Sequence, residues 1–174
     1  NEVVTDQAPM AKYQEKNTGK SVTQKEMIRA FELPESDWPK IVQRCTEKGI
    51  LFLSTPHGGR QSVDLLESLN VVAYKIGSAD VTNYILLDRI AQTKKPVVIS
   101  SGMSDLAEVT EAISFLQQRG TKDIVALHCT TSYPCPIAEA NLAAMQTMMK
   151  KLQVPVGYSD HTLDKRVAAI ATIQ

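Results

Sequence analysis

The chain reads as an α/β protein on a parallel sheet, of the (β/α)8 TIM-barrel type. Three observations predict this class. First, short apolar runs begin near Ile50, Val72, Val97, Ile124 and Val154, at intervals of 22, 25, 27 and 30 residues. A strand, a helix and two loops take about 20–30 residues, so the runs mark successive βα units. Second, the runs are continuously apolar, as befits strands covered on both faces. Third, amphipathic helix patterns fill the intervals between them. A doubly wound open sheet is the alternative. No glycine-rich Rossmann turn or Walker loop is present, and Gly58-Gly59 alone carries no nucleotide-binding signal. Five units are too few to close a barrel, so the expectation is an incomplete one.

In chain order, residues 1–22 are polar and irregular and read as a surface loop. Thr23, with Glu26 three positions on, has the form of a capping box for a helix whose apolar face is Met27, Ile28 and Phe31. A second helix opens at Pro34 and runs to about Lys48, with Trp38, Ile41, Val42 and Cys45 at helical spacing and Gly49 as its stop. Ile50–Leu53 is the first expected strand and ends at Ser54-Thr55-Pro56. A helix over 60–69 leads to Val71–Ile76, and a helix over 85–91 to Pro96–Ile99. Ser104 is expected to cap a helix carrying Leu106, Val109, Ile113 and Leu116, stopped at Gly120. Ile124–Leu127 is the fourth strand. A helix with Leu142, Met145 and Met149 precedes the fifth, at Val154, after which Leu163, Val167 and Ile170 continue at helical spacing.

Composition narrows the function. The chain has 174 residues, 43% of them apolar, enough for a packed core. Lys+Arg and Asp+Glu both number 19, so no electrostatic footprint for nucleic acid or an anionic membrane exists. No run of about 18 apolar residues suggests a membrane span. Three cysteines, Cys45, Cys129 and Cys135, cannot form a complete disulfide set and suit a reducing compartment, so a cytoplasmic protein is expected. The paired-cysteine spacing of structural zinc sites is absent. The chain starts at Asn1 and ends inside a helix pattern, so it is expected to be a cut chain or a fragment.

Thr55, Lys75, Ser78, Ser100, Thr131, Tyr133, Ser159 and His161 fall at or just past the carboxyl ends of the expected strands. A parallel barrel gathers those ends on one face, where ligands bind. Singly, the serines and threonines read as helix caps, Tyr133 as a packing residue beside Pro134, and His161 as a satisfied histidine. Lys75 differs, because it lies inside an apolar run, and a buried lysine is costly without an anion beside it. A bound phosphate or carboxylate would supply that anion, with the neighbouring hydroxyls adding hydrogen bonds. The same lysine could form a Schiff base with a carbonyl substrate. A truncated barrel without catalysis is the third reading.

Five motifs occur in fixed order: Ser54-Thr55-Pro56; Tyr74-Lys75-Ile76-Gly77-Ser78; Ile99-Ser100-Ser101-Gly102-Met103; His128-Cys129 to Tyr133-Pro134; and Gly157-Tyr158-Ser159-Asp160-His161-Thr162. Together they resemble the sialic acid synthase family, the N-acetylneuraminate and legionaminate synthases, and Ala8 to Gly19 looks like a variant of a loop in bacterial members. The resemblance implies condensation of phosphoenolpyruvate with an open-chain N-acetylated hexosamine, giving a nine-carbon 2-keto acid sugar and phosphate. It implies that Thr55, Lys75, Ser78, Ser100, Thr131, Tyr133 and Ser159 bind phosphoenolpyruvate, that Lys75, Asp80 and His161 are catalytic, and that His161 is a ligand of manganese or magnesium.

The chain departs from the family at Thr131, where many bacterial members have asparagine, and at Asp80, where glutamate is common and which is expected to contact the amino sugar. It departs also at His57, a position often filled by phenylalanine, which reads as a surface residue. The resemblance places residues 1–174, as one partial barrel domain, over about the third to seventh strands. The first two strands, the eighth strand and a C-terminal antifreeze-like domain would lie outside it. The piece alone is expected to have little activity, and the full-length protein to form a homodimer.

Overall fold

The apolar runs beyond residue 70 become the strands of one parallel sheet in the computed structural model, which describes residues 4–19 and 22–173. Strands β1 (Tyr74–Ile76), β2 (Val97–Ser100), β3 (Ile124–His128) and β4 (Val156–Tyr158) lie side by side in chain order, each parallel to the next. Helices α4 (Arg60–Ser68), α5 (Tyr84–Gln92), α6 (Leu106–Gln118), α7 (Ala143–Leu152) and α8 (Lys165–Ala171) alternate with them. The register aligns Tyr74 with Val97 and Ile124, and Ile76 with Ile99 and Ala126. Successive strand residues face opposite sides, so these six share one face, and all are buried. The helices turn their own buried stripes inward, among them Val63, Leu66, Leu86, Leu87, Val109 and Ile113.

The opposite face carries Lys75, Val98, Ser100, Val125 and Leu127. Except for Ser100, it is only half-buried. This asymmetry matters for function, because a cation and a hydroxyl share a face that no helix of the sheet's own units seals.

The chain divides into two compact units, residues 1–52 and 53–174, within the span that the sequence reading treats as one domain. The first unit holds α1 (Lys12–Thr18), α2 (Gln24–Phe31), a 3-10 turn at Glu35–Asp37 and α3 (Trp38–Glu47). Helix α2 has the expected capping box: Glu26 N–H donates to Thr23 Oγ1 at 3.2 Å and Thr23 N–H to Glu26 Oε2 at 2.9 Å. Helix α1 is new, since residues 12–18 read as loop. It buries no residue, and periodicity of apolar positions therefore gives no sign of it.

Ile50–Leu53 is not a strand. Ile50, Leu51 and Leu53 are exposed, and the run straddles the join between the two units. A strand needs a ladder partner, and among the described residues this run has none. The second run shortens to Tyr74–Ile76, with Val72 exposed, and the last shifts to Val156–Tyr158. Two helix-face assignments also move. Met148 rather than Met149 turns inward in α7, and at the end of the chain Val167 is buried as expected, joined by Ala171, while Leu163 and Ile170 are exposed. Phe31 of α2 is likewise exposed. Ser104 does not cap α6. Asp105 does, exchanging hydrogen bonds with Glu108.

Among the described residues no helix is long and apolar enough to cross a membrane. Ile99 is fully buried at the centre of the sheet. Ile99→Ala is expected to lower unfolding free energy by about 2–5 kcal/mol, read from the midpoint of a urea denaturation curve.

Candidate active site at the carboxyl edge of the sheet

All strands run the same way, so their carboxyl ends form one edge. The ladder extends one residue past the strands there. Ser101 N–H donates to Leu127 O and Ser159 N–H to His128 O, both at 2.9 Å. This continuation fixes where the loop residues leave the sheet.

The Lys75 ammonium donates to Ser100 Oγ and, at 3.1 Å, to Ile76 O. Among the described residues no carboxylate pairs with it. Burial pushes its pKa below the usual 10.5, because the charged form loses water, and the nearby Cys129 sulfur offsets only part of that loss. Its hydrogen-bond partners are neutral oxygens.

Next along the edge, Ser78 Oγ and Thr131 Oγ1 stand 3.5 Å apart, joining the exits of β1 and β3. Gly102 permits the pairing. A Cβ there would collide with Ser78 Oγ and lie 2.6 Å from Thr131 Oγ1, and its φ of +29° disfavours a side chain as well. Ser104, freed from capping, donates from its hydroxyl to Ser78 O at 3.2 Å and ties down the same loop. Neither Gly102 nor Ser104 is among the site residues expected from the sequence; a glycine just past a strand's carboxyl end is the signal that could have found the first.

His161 lies beyond β4. Its Nδ1–H donates to Thr130 O at 2.7 Å, which leaves Nε2 with the lone pair, 3.3 Å from Ser159 Oγ. The Tyr133 ring stacks on the imidazole at 4.3 Å between centroids. A histidine anchored through Nδ1 to a carbonyl, with Nε2 presented, has the usual posture of a metal ligand. The described residues offer no group of three His, Cys, Asp or Glu for an ion. The fit to a divalent metal therefore extends to one ligand.

A fourth group sits at the exit of β1. Asp80 accepts from His57 Nδ1–H at 2.7 Å and from Asn83 Nδ2 at 3.2 Å. Burial raises the Asp80 pKa, but these hydrogen bonds outweigh it and hold the carboxyl below its ordinary value. Both carboxylate oxygens are thereby engaged. Thr55 approaches the same loop, with its Cγ2 3.9 Å from where a Cβ on Gly77 would stand. On the helix side of Ser101 and Gly102 a cavity of about 480 Å³ opens between α6 and α7. Lys75, Ser78 and His161 are not in its wall.

Direct contacts join the residues expected at the site in groups: Lys75 with Ser100, Ser78 with Thr131, and Ser159 and Tyr133 with His161. Thr55 and Asp80 stand at the exit of β1. Gly102→Ala is expected to part Ser78 from Thr131 and weaken binding of inorganic phosphate about tenfold or more, measured by isothermal titration. Only the ammonium form of Lys75 attracts an anion. Affinity is therefore expected to fall as pH rises through a pKa below 10.5, earlier than for an ordinary lysine. Lys75→Met should remove that pH dependence without lowering the melting temperature of the anion-free protein.

Comparison with known proteins extends this picture. Residues 1–174 match the NeuB family. The chain is 43% identical over 165 residues to the N,N'-diacetyllegionaminic acid synthase of Legionella pneumophila, covering 92% of this chain and 46% of that protein. It is 39% identical over 161 residues to the enzyme of the same name from Campylobacter jejuni, covering 91% of this chain and 48% of that one. The chain spans about half the length of the curated relatives it matches. Among solved structures, it superposes on the N-acetylneuraminic acid synthetase of Leptospira borgpetersenii with a TM-score of 0.79 and 30% identity, over 91% of this chain and 55% of that one. A truncated 3-deoxy-D-arabino-heptulosonate 7-phosphate synthase of Thermotoga maritima shares the fold at 16% identity and a TM-score of 0.65. The parallel sheet is thus part of a TIM-type barrel. With its full length matched, the chain belongs to the NeuB family, whose relatives here are legionaminic, pseudaminic and sialic acid synthases.

Proposed function

We propose that this carboxyl edge binds phosphoenolpyruvate and serves its condensation with an N-acetylated hexosamine or a related bacterial amino sugar, forming a nine-carbon 2-keto acid sugar. The observation that carries this reading is the Lys75 ammonium, half-buried, hydrogen-bonded to neutral oxygens and paired with no carboxylate among the described residues. Such a group is completed by an anion. The complex of the Leptospira synthetase with citrate, itself an anion, supports the reading.

In this reading Lys75 and Ser100 hold one anionic end of phosphoenolpyruvate, and Ser78 and Thr131 donate hydroxyl hydrogens beside it. Thr55, Tyr133 and Ser159 complete the surround. The enol carbon forms a bond to the sugar aldehyde carbon, the aldehyde oxygen takes a proton, water adds at the former enol position, and phosphate leaves. His161 Nε2 would be one ligand of a divalent ion, manganese or magnesium, with other ligands beyond the described residues. When bound, such an ion supplies Lewis-acid polarisation of the aldehyde. Thr130 O sets the His161 ring plane, and Tyr133 restricts its tilt.

The test is phosphate release by the whole protein given phosphoenolpyruvate, an amino sugar and manganese. Lys75→Met is expected to lower kcat/KM by about a hundredfold or more, the scale set by removing a charge-assisted hydrogen bond to the reacting substrate. Borohydride trapping of pyruvate on Lys75, with no phosphate released from phosphoenolpyruvate, would overturn the reading in favour of a Schiff-base lyase.

A further inference from the structure

Asp160 lies between Ser159 and His161 in the chain, yet its side chain takes no part in their contact. With Tyr158 it lines a cleft between α7 and α8, a wall that Ser159 and His161 do not share. Its Oδ1 accepts Thr162 N–H at 2.8 Å, which closes an Asx turn across His161. At the other end of the same peptide unit, His161 O accepts Cys135 N–H at 2.7 Å. Both polar groups of the peptide that leaves His161 are thus held, one by a side chain and one by the loop after β3. With Nδ1–H bonded to Thr130 O, the residue is fixed at its backbone and at its ring. Burial, with the Asp160 carboxylate next in effect, pushes the Tyr158 phenol up to about 12, so it stays protonated beside that carboxylate.

We propose that Asp160 is the positioning residue for His161, its Asx turn setting the backbone from which the imidazole is presented to a divalent ion. This rests on the ligand role of His161 proposed above. The physical basis is freedom removed. A histidine ring turns about its own side-chain bonds, and it also moves with the peptide that follows it. Thr130 O restrains the first motion; Asp160 and Cys135 restrain the second. Without the Asp160 carboxylate, Thr162 N–H turns to water and His161 Nε2 spreads over a range of directions. A ligand so spread binds an ion more weakly, because that freedom is lost on binding. The turn needs an acceptor at Oδ1 and no charge, so asparagine serves in place of aspartate. Proton transfer, by contrast, needs the carboxylate.

The test uses the whole protein and two readouts besides turnover. Titration calorimetry with manganese ion reads the site, and exchange of the His161 Nδ1 proton with water, followed by NMR on metal-free protein, reads the ring. Asp160→Ala is expected to weaken manganese binding about tenfold, the low end for losing a partner behind a metal ligand. The same variant should speed exchange of the Nδ1 proton, because the ring then leaves Thr130 O more often. Binding of inorganic phosphate should stay within about twofold of the unaltered protein, since Lys75 and its hydroxyls are untouched. Asp160→Asn, which closes the same turn, should keep manganese affinity within about threefold and leave proton exchange slow. Unchanged manganese affinity and unchanged proton exchange in Asp160→Ala overturn the proposal, even if the melting temperature falls, since a fall in stability alone marks a merely structural residue. Losses in Asp160→Asn as large as those in Asp160→Ala overturn it too, in favour of a role for the charge. His161→Ala binding manganese as tightly as the unaltered protein overturns the ligand reading, and this one with it; the proton exchange in Asp160→Ala tells that failure from the others.

Discussion

The alternation of side chains across β1 and β2 is the constraint on which the rest depends. Tyr74 and Ile76 sink beneath the helices, so Lys75 between them must face the other way. Parallel pairing then sets Ser100 within reach of its ammonium. A one-residue slip of either strand would send the lysine into the helix-covered core and bring an apolar side chain out in its place. Functional geometry and core packing are thus one decision: the interactions that bury Ile76 and Ile99 also aim Lys75.

Around that cation the chain places hydroxyls and withholds carboxylates. A carboxylate beside Lys75 would neutralise it and compete with any ligand; serine and threonine instead add hydrogen bonds without discharging it. Acidic residues near the edge are diverted elsewhere. Asp80 is taken up by His57 and Asn83, Asp105 by the start of α6, and Asp160 accepts from Thr162 N–H within its own turn. The site's polarity comes from this division, which leaves the Lys75 ammonium without a carboxylate partner among the described residues.

Gly102 and Ser104 show how a loop can build a site without touching the reaction. The glycine lets two hydroxyls from different βα units meet, and the serine pins the backbone of one of them. The Leu127–Ser101 and His128–Ser159 hydrogen bonds do the same on the strand side. Rigidity at the edge therefore derives from backbone bonds between neighbouring units, and the side chains inherit it.

Much of this was legible from residue order alone. Apolar runs at βα intervals announce a parallel sheet because helix and strand lengths are set by backbone geometry. A lysine within such a run announces an anion, because desolvating a charge is costly wherever it occurs. The tertiary structure decided the rest. Ile50–Leu53 has the composition of a strand, but a strand exists only through its partner, and the run lies where two units join. Ser104 has the composition of a cap, but Asp105 won that place and left its hydroxyl for Ser78. His57 reads as a surface residue and is exposed, but its partner Asp80 is 23 positions away, and only the fold of the β1 exit brings them together. Local patterns report what a segment can become; which contacts it keeps is settled by competition among distant groups.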